Sequence, residues 1–363
     1  MKKSKSRVHV QVVQHLSPGG IETLSLDLHH FSQPDVQVHI VSLEGKKAEM
    51  LARWPRLHPF AAQLHFLDKP SGVSVNTMFK LAALLLKLRA NLVHTHHIGP
   101  MLYGGIAARM AGVRRLIHTE HDAWHLGDIS HQKIAQRCVK YLRPTLVADA
   151  DLVASHLREK VPQAKPSIIH NGIDTKRFCP GNQVTARVKL GLPLQVRVLG
   201  CAARMHAVKG HDVLLDALFR LPAHTHLALA GSGETEPAIR QQVKDLNLTD
   251  RVHFLGHVED MPAFYRAIDV FCLASHNEGM PLSPLEAQAC GTAAVLTDVG
   301  ACRETVCPRT GYIVAPGDSL ALAAAIQNAL RQRVNVSPRQ FVTSHRDVKK
   351  MVSQYDALAG LSL

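Results

Sequence analysis

Short runs of β-branched and other apolar residues alternate with longer helical stretches along the whole chain, and that alternation admits few folds. In the first half the expected strands are Arg7–Leu16, Val36–Leu43, Leu64–Leu67, Asn91–His96, Arg115–His121, Leu146–Ala148 and Ser167–His170. Helical stretches such as Ile21–Phe31, Asn76–Arg89 and His131–Leu142 lie between them. The second half repeats the rhythm with strands Val196–Ala202, His226–Ala230, Val252–Leu255, Val270–Ala274, Ala293–Leu296 and Tyr312–Val314. Its helices include His211–Leu221, Glu236–Leu246 and Ser319–Arg331. Strands separated by helices cannot pair as hairpins, so they build parallel sheets with helices on both faces. The fold class is therefore α/β. A chain of 363 residues exceeds what one hydrophobic core usually organises, so two doubly wound, Rossmann-like domains are expected.

The expected boundaries are 1–180 for the first domain and 195–340 for the second. The stretch 181–194 reads as a linker because Pro180, Gly181, Gly191 and Pro193 cluster there. A final helix is expected over Arg346–Leu358 within a tail spanning 341–363. Ligands of such sheets bind outside the carboxyl ends of the strands, so two facing domains predict an interdomain cleft.

The longest apolar stretch, Leu81–Leu86, lies between Lys80 and Lys87 and is far short of the ~20 residues a membrane span needs. The basic start Met1–Arg7 is followed by His9, Gln11, Gln14 and His15, which interrupt the apolar run a secretion signal requires. Seven cysteines, an odd number with no Cys-x-x-Cys, suit reduced thiols. A cytoplasmic protein is expected on these grounds.

Charge divides unevenly. Residues 1–180 carry 24 Lys/Arg and 13 Asp/Glu, a net +11, whereas residues 181–363 carry 18 and 16, a net +2. The first half is thus suited to an anionic partner. Basic and aromatic residues do not interleave and aromatics are only 5%, so nucleic acid is not expected. Anionic lipid headgroups fit better and would hold the protein peripherally at the inner face of the plasma membrane. A solvated basic face with no partner is the plainer alternative.

Four constellations fall where strands should end. Ser17-Pro18-Gly19-Gly20-Ile21-Glu22 follows the first strand and opens a helix; adjacent glycines let backbone approach a phosphate at a helix N-terminus. Gly200–Arg204, followed by Lys209-Gly210, places two cations on one loop, where they would clamp a diphosphate. Gly231-Ser232-Gly233-Glu234 follows the next strand and permits a turn with free N–H groups near a nucleotide. Each of these three is, taken alone, equally a plain turn or a solvated loop. The fourth runs from Glu278 to Gly291. Ser283 is a suitable N-cap, Pro284 a suitable first helical residue and Gly291 a suitable terminator. The loop Gly279, Met280, Leu282, Ser283 then aims N–H groups at phosphate, and Glu286 in the first turn can accept two hydrogen bonds from a ribose diol.

In this order the four constellations resemble the family-4 retaining glycosyltransferases of the GT-B fold. The likeness includes Gly19-Gly20-x-Glu22, His94-Thr95-His96, Thr119-x-His121, Asn171-Gly172-Ile173-Asp174, Arg204 to Lys209-Gly210, Gly231-Ser232-Gly233, Phe254-Leu255-Gly256, Glu278-x7-Glu286 and Thr310-Gly311. The resemblance implies that the donor sits against the second domain and that the last helix crosses back to the first. Arg204 and Lys209 would neutralise the leaving diphosphate, Glu278 would hold the donor sugar and Glu286 the ribose. Gly231, Ser232, Gly233, Gly279, Met280, Leu282 and Ser283 would line the donor site, and Arg251 to Gly256 would frame the base. From the first domain, Gly19 and Gly20 would touch the phosphate side, and His121 would reach the donor sugar or the acceptor. Glu22, His94, His96 and Asn171 would lie on the acceptor side. The resemblance further implies a UDP- or GDP-sugar donor, a lipid-linked or saccharide acceptor in bacterial surface-polysaccharide synthesis, and a retaining reaction with no protein nucleophile.

No metal or other cofactor is expected, because the two cations and the helix terminus can take a metal's electrostatic role. His94 and His96 share one strand face and His97 the other, which suits a strand end lining the cleft rather than a metal site. Ala203 and His276-Asn277 depart from the commoner family pattern and bear on donor choice. The rival readings are a GT-B nucleotide-sugar epimerase, against which Glu278-x7-Glu286 argues, and a non-catalytic basic protein binding membrane or nucleic acid.

Overall fold

The computed structural model describes residues 7–122, 124–332 and 336–360. It divides into two compact units. Unit 1 runs to Asn171 and takes up the chain again from Val348; unit 2 is Gly172–Asp347.

Unit 1 holds strands β1 (Arg7–Val13), β2 (Val36–Ser42), β3 (Leu64–Phe66), β4 (Leu92–His96), β5 (Arg115–Glu120), β6 (Thr145–Ala148) and β7 (Ser167–Ile168). They form one parallel sheet in the order β3-β2-β1-β4-β5-β6-β7. Its helices are α1 (Gly20–His30), α2 (Lys47–Arg53), α3 (Val75–Leu88), α4 (Ile98–Met110), α5 (Ile129–Leu142) and α6 (Asp151–Lys160). Alternation along β1 sends Val8, Val10 and Val12 to one face, where they meet Met78, Leu81 and Leu85 of α3 and Tyr103 and Ala107 of α4. On another face Leu24 and Leu28 of α1 pack with Val36, Leu92, Ile117 and Val147.

Unit 2 holds α7 (Gln183–Lys189), β8 (Arg197–Ala202), α8 (His211–Phe219), β9 (Thr225–Ala230), α9 (Glu236–Asp245), β10 (Val252–Gly256), α10 (Met261–Ala267) and β11 (Val270–Leu273). It continues with α11 (Ser283–Ala289), β12 (Ala293–Thr297), α12 (Cys302–Thr305), β13 (Tyr312–Val314), α13 (Ser319–Arg331) and α14 (Pro338–His345). Its parallel sheet has the order β10-β9-β8-β11-β12-β13. In both sheets the strand order reverses beside the first strand: between β1 and β4 in unit 1, and between β8 and β11 in unit 2. Loops leaving those strands diverge, which opens a crevice at their carboxyl ends.

The last helix, α15 (Val348–Leu358), belongs to unit 1. Val348, Met351, Val352 and Tyr355 complete the α1-side core, and the Tyr355 hydroxyl lies 3.0 Å from Thr119 Oγ1.

Two local expectations change. The stretch 181–194 is part of unit 2 and carries α7, whose Asn182 cap accepts from Thr185 N at 2.9 Å. Arg187 on that helix is buried, pairing with Asp269 at 2.7 Å and donating to the Ala267 carbonyl at 2.8 Å. The glycines read as linker punctuation border a helix: Gly191, at φ +66, follows its last turn. The second change is at α11. Ser283 is its first helical residue rather than its cap, Leu282 takes the cap position, and no side chain caps the helix. Its start is therefore an uncapped turn whose N–H groups are not consumed by a cap.

Candidate functional site

Unit 2 gathers its chemistry at the switch point between β8 and β11. After β8 the chain passes through exposed Arg204, then a short 3₁₀ turn, Ala207–Lys209, closed by Gly210 at φ +60. A side chain on Gly210 would meet the Ala274 carbonyl oxygen at 2.0 Å, so the turn lies directly against the end of β11. That contact delivers the Lys209 ammonium to Glu278, with Nζ 2.6 Å from Oε1. The same oxygen accepts from the Ser275 hydroxyl at 2.6 Å. Glu278 is only 7% exposed at its side chain, so the pair is largely desolvated and the lysine is fixed in place.

The neighbouring loops are laced together by backbone. Ala203 N donates to Ala230 O at 3.1 Å, Met205 N to Ser232 O at 2.9 Å and Thr235 N to Met205 O at 3.1 Å. A side chain on Gly231 would meet Ala203 O at 2.1 Å, and one on Gly233 would meet Met205 O at 2.2 Å. Both glycines are therefore needed for close approach of the loop carrying Arg204. Gly256 ends β10 at a register irregularity, and its carbonyl accepts from Gly231 N at 2.7 Å.

In α11 the Glu286 carboxylate accepts from the Tyr265 hydroxyl at 2.7 Å. Burial, together with the Glu286 charge, pushes the Tyr265 phenol well above its ordinary range, so it stays a donor and orients that carboxylate. The helix ends as read: Gly291, at φ +95, follows it and Thr292 N donates back to Ala287 O at 3.0 Å. The loop before it is pinned by the loop after β12, where Ala301 N donates to Gly279 O at 2.9 Å. Met280 is buried, and Leu282 and Ser283 are half-buried beside it.

Arg251 stands apart from this group. It precedes β10 at the amino end of the strand, where its guanidinium is taken up by the carbonyls of Thr225, Leu218, Leu221 and Pro222. It therefore does not join Gly256 as a frame for a ligand.

Unit 1 has a second constellation at its own switch point. Gly19 caps α1 in extended conformation (φ −168), and the Glu22 carboxylate folds back over it. His15 Nδ1 lies 3.2 Å from that carboxylate. Gly19 and Gly20 are exposed. His94 and His96 stand on one face of β4 with ring centroids 4.2 Å apart, but both are buried rather than lining a surface. β4 is an inner strand between β1 and β5, and the Tyr355 ring packs against His94, tilted by 40° with centroids 5.0 Å apart. Burial holds both imidazoles well below their ordinary pKa. His94 Nε2 bonds Thr119 Oγ1 at 2.7 Å.

His121 is also buried, and each ring nitrogen has a partner: Nε2 meets His96 Nδ1 at 2.9 Å, and Nδ1 meets Asp149 Oδ2 at 3.1 Å. Asn171 donates its amide to that same carboxylate at 2.8 Å. His97 sits just past β4 at φ +68, a backbone region that favours glycine, with Nδ1 3.9 Å from Glu120. Glu120 is buried beside His118 at 3.6 Å and His125 at 3.7 Å.

Tyr265, Ser275 and Asp149 join these groups without having been singled out in the sequence. Ser275 and Asp149 had a signal, since each directly follows an expected strand. No spacing rule links Tyr265 on α10 to Glu286 on α11.

Comparison with known proteins follows the same division. Residues 18–177 match the family model described as Glycosyltransferase Family 4, and residues 196–332 match that described as Glycosyl transferases group 1. The chain is 31% identical over 304 residues to a D-inositol 3-phosphate glycosyltransferase of Geodermatophilus obscurus, covering 74% of this chain and 67% of the relative. It is 33% identical over 246 residues to the protein of that name from Mycobacteroides abscessus, covering 62% of this chain and 55% of the relative. It is 35% identical over 171 residues to the lipopolysaccharide core biosynthesis mannosyltransferase LpsB of Rhizobium meliloti, covering 44% and 49%. The matches thus span about half to two thirds of these relatives. Among solved structures, Anabaena Alr3699/HepE in complex with UDP-glucose superposes with a TM-score of 0.84 at 21% identity, covering 98% of this chain and all of that one. Sucrose-phosphate synthase from Thermosynechococcus elongatus superposes with a TM-score of 0.78 at 21% identity, covering 97% and 98%. The fold is GT-B.

Proposed function

The chain belongs to the family-4 glycosyltransferases, and from that premise we propose that it transfers a sugar from a nucleotide-sugar to a saccharide or lipid-linked acceptor with retention of configuration. The observation that carries the reading is the unit 2 constellation. Fixed Lys209, exposed Arg204 and the uncapped start of α11 are three sources of positive potential beside one switch point. Breaking the anomeric bond leaves a diphosphate with growing negative charge, and preorganised donors aimed at that charge lower the barrier. The same groups make a metal unnecessary in this proposal. Glu286, oriented by Tyr265, is the hydroxyl acceptor for the ribose, and Glu278 serves the donor sugar.

A UDP-sugar or GDP-sugar donor is favoured. The UDP-glucose bound in the HepE structure supports the first. Thermal-shift measurement against UDP, GDP, ADP and CMP in EDTA tests the assignment. One diphosphate is expected to stabilise the wild type, by about 2.7 kcal/mol at ~100-fold over Kd, and Glu286→Ala to lose most of that stabilisation. Equal shifts in both proteins would remove Glu286 from the nucleotide site.

The acceptor reading rests on unit 1, which we propose works against an anionic cytoplasmic membrane surface. Between Asp68 and Glu120 the chain carries seven Lys/Arg and no Asp or Glu. Within that stretch α3 exposes Val75, Phe79, Ala83 and Leu86 on one stripe, with Phe79 and Leu86 each 58% exposed and Lys80 and Lys87 alongside. Apolar side chains beside lysines suit the headgroup boundary, where each basic residue adds about 1 kcal/mol. The wild type is expected to co-sediment with phosphatidylserine vesicles and not with neutral ones, and Phe79→Glu with Leu86→Glu to weaken this about tenfold or more. Equal sedimentation with both vesicle types contradicts the electrostatic part.

A further inference from the structure

Five side chains from five adjacent strands of unit 1 join into one hydrogen-bonded string near the carboxyl ends of the sheet. In spatial order they are Gln11 of β1, His96 of β4, His121 after β5, Asp149 after β6 and Asn171 after β7. All five are buried. His96 Nε2 lies 2.7 Å from Gln11 Oε1, His96 Nδ1 lies 2.9 Å from His121 Nε2, and His121 Nδ1 lies 3.1 Å from Asp149 Oδ2. Asn171 donates to Asp149 Oδ2 at 2.8 Å.

With the Gln11 amide oxygen turned toward His96, as the structure has it, the protons along the string can be counted. Each of the three imidazole contacts needs one proton between its two heavy atoms. The Gln11 oxygen brings none, so His96 carries its proton on Nε2 and accepts at Nδ1. His121 must then donate from Nε2. A neutral His121 has no second proton for its contact with Asp149. Two neutral imidazoles and a carboxylate supply two protons for three contacts.

We propose that this string holds one further proton, carried by His121 as an imidazolium, and that Asp149 is the positioning residue that keeps it there. The proposal rests on the transferase reading only where activity is concerned. The charges around the ring agree with it. Burial works against a charged His121, but the bond and charge of Asp149, together with Glu120 and Asp122, outweigh it and raise His121 above its ordinary pKa. Burial lifts the Asp149 carboxyl as well, so both partners grip the shared proton. The proton does not move along to His96, because burial and its histidine neighbours His94, His121, His118 and His97 all disfavour charge there. The Asn171 amide, donating to the same carboxylate oxygen, favours the carboxylate in its charged form.

The consequence is positional. A ring with both N–H groups engaged cannot turn, and the loop that follows β5 is held with it. Loss of the extra proton at high pH breaks one of the three contacts and releases the ring. Activity is therefore expected to fall on the alkaline side as His121 titrates. Removing the Asp149 charge lowers the His121 pKa, so in Asp149→Asn that fall comes at lower pH.

The experiment is long-range proton–nitrogen correlation on the full chain labelled with nitrogen-15 histidine, between pH 5 and 9, with His121→Gln for assignment. In the wild type both His121 ring nitrogens are expected to be protonated at neutral pH and to titrate above the ordinary histidine range. In Asp149→Asn one nitrogen is expected to be bare at neutral pH, and the alkaline limb of the kcat profile to move to lower pH. A wild-type His121 with one bare ring nitrogen at neutral pH overturns the proposal, whether or not Asp149→Asn folds. An unmoved alkaline limb in a folded Asp149→Asn protein overturns the positioning role. The spectrum needs no substrate, so failure to find sugar transfer leaves this test standing on its own.

Discussion

Replacing Lys209 with alanine is expected to lower kcat/KM for the nucleotide-sugar by about 10²–10³-fold, the 3–4 kcal/mol typical of one lost donor to developing charge. The size follows from how the residue is held. Gly210 packs the 3₁₀ turn against Ala274, and Nζ is fixed at 2.6 Å from Glu278, so the ammonium is in place before the diphosphate leaves. Preorganised charge needs no reorientation at the moment of reaction, which is why it is worth more than a mobile surface lysine. The alanine also leaves the desolvated Glu278 carboxylate with Ser275 as its remaining hydrogen-bond donor among the contacts described, so thermal stability is expected to fall with activity. Lys209→Arg separates the two effects, since it keeps the charge while changing its geometry. Steady-state kinetics on Lys209→Ala showing less than about a threefold loss would remove Lys209 from the role assigned here.

The second large effect is expected at Gly300, a residue with no chemistry of its own. It sits at φ +50, and a side chain there would lie 1.8 Å from the Glu278 carbonyl oxygen, 2.7 Å from its carbonyl carbon and 3.0 Å from the Gly279 oxygen. Those are backbone atoms, so the clash is relieved only by moving the loop that carries Glu278. Gly300→Ala is expected to destabilise the protein by about 3 kcal/mol, from overpacking and left-handed strain together. That corresponds to a drop in Tm of about 10 °C for a unit of this size. Turnover is expected to fall further than stability alone explains, because the Lys209–Glu278 pair moves with the loop. Gly256→Ala makes a direct comparison. Gly256 also has positive φ, +60, but faces open space, so only strain of about 1–2 kcal/mol applies. Equal melting temperatures for the two variants would contradict the close-approach argument.

The strands were legible because each is short, apolar and bounded by polar or glycine-rich residues; every expected strand overlaps an observed one. Repeated strand–helix units also made the two parallel sheets readable, since local order dictates that architecture. Near 181–194 the sequence suggests a linker where the structure has a helix, because glycine and proline punctuate helix ends as well as linkers. Here Asn182 and Gly191 bracket a helix whose buried Arg187 ties it to unit 2. At α11 a favourable N-cap residue stood one position inside the helix, and Pro284 fits the second helical position equally well.

Within the site, legibility followed sequence distance. Lys209 and Glu278 were visible because each lies in a loop directly after a strand. Tyr265 was not, because its bond to Glu286 depends on how α10 packs beside α11. The string from Gln11 to Asn171 joins residues up to 160 positions apart, and only the strand order places them side by side. His94 and His96, whose strand-end position suits lining a cleft, are buried, since periodicity gives the face of a strand but not what covers it.

The central claim is tested most directly by turnover. The wild-type protein is incubated in EDTA with UDP- and GDP-linked hexoses, and released nucleoside diphosphate is measured while proton NMR follows the anomeric configuration of the sugar transferred to water. One nucleotide-sugar is expected to be consumed without metal, and the first-formed product to keep the donor's anomeric configuration. A first-formed product of inverted configuration, or consumption only after a divalent metal is restored, would contradict that claim.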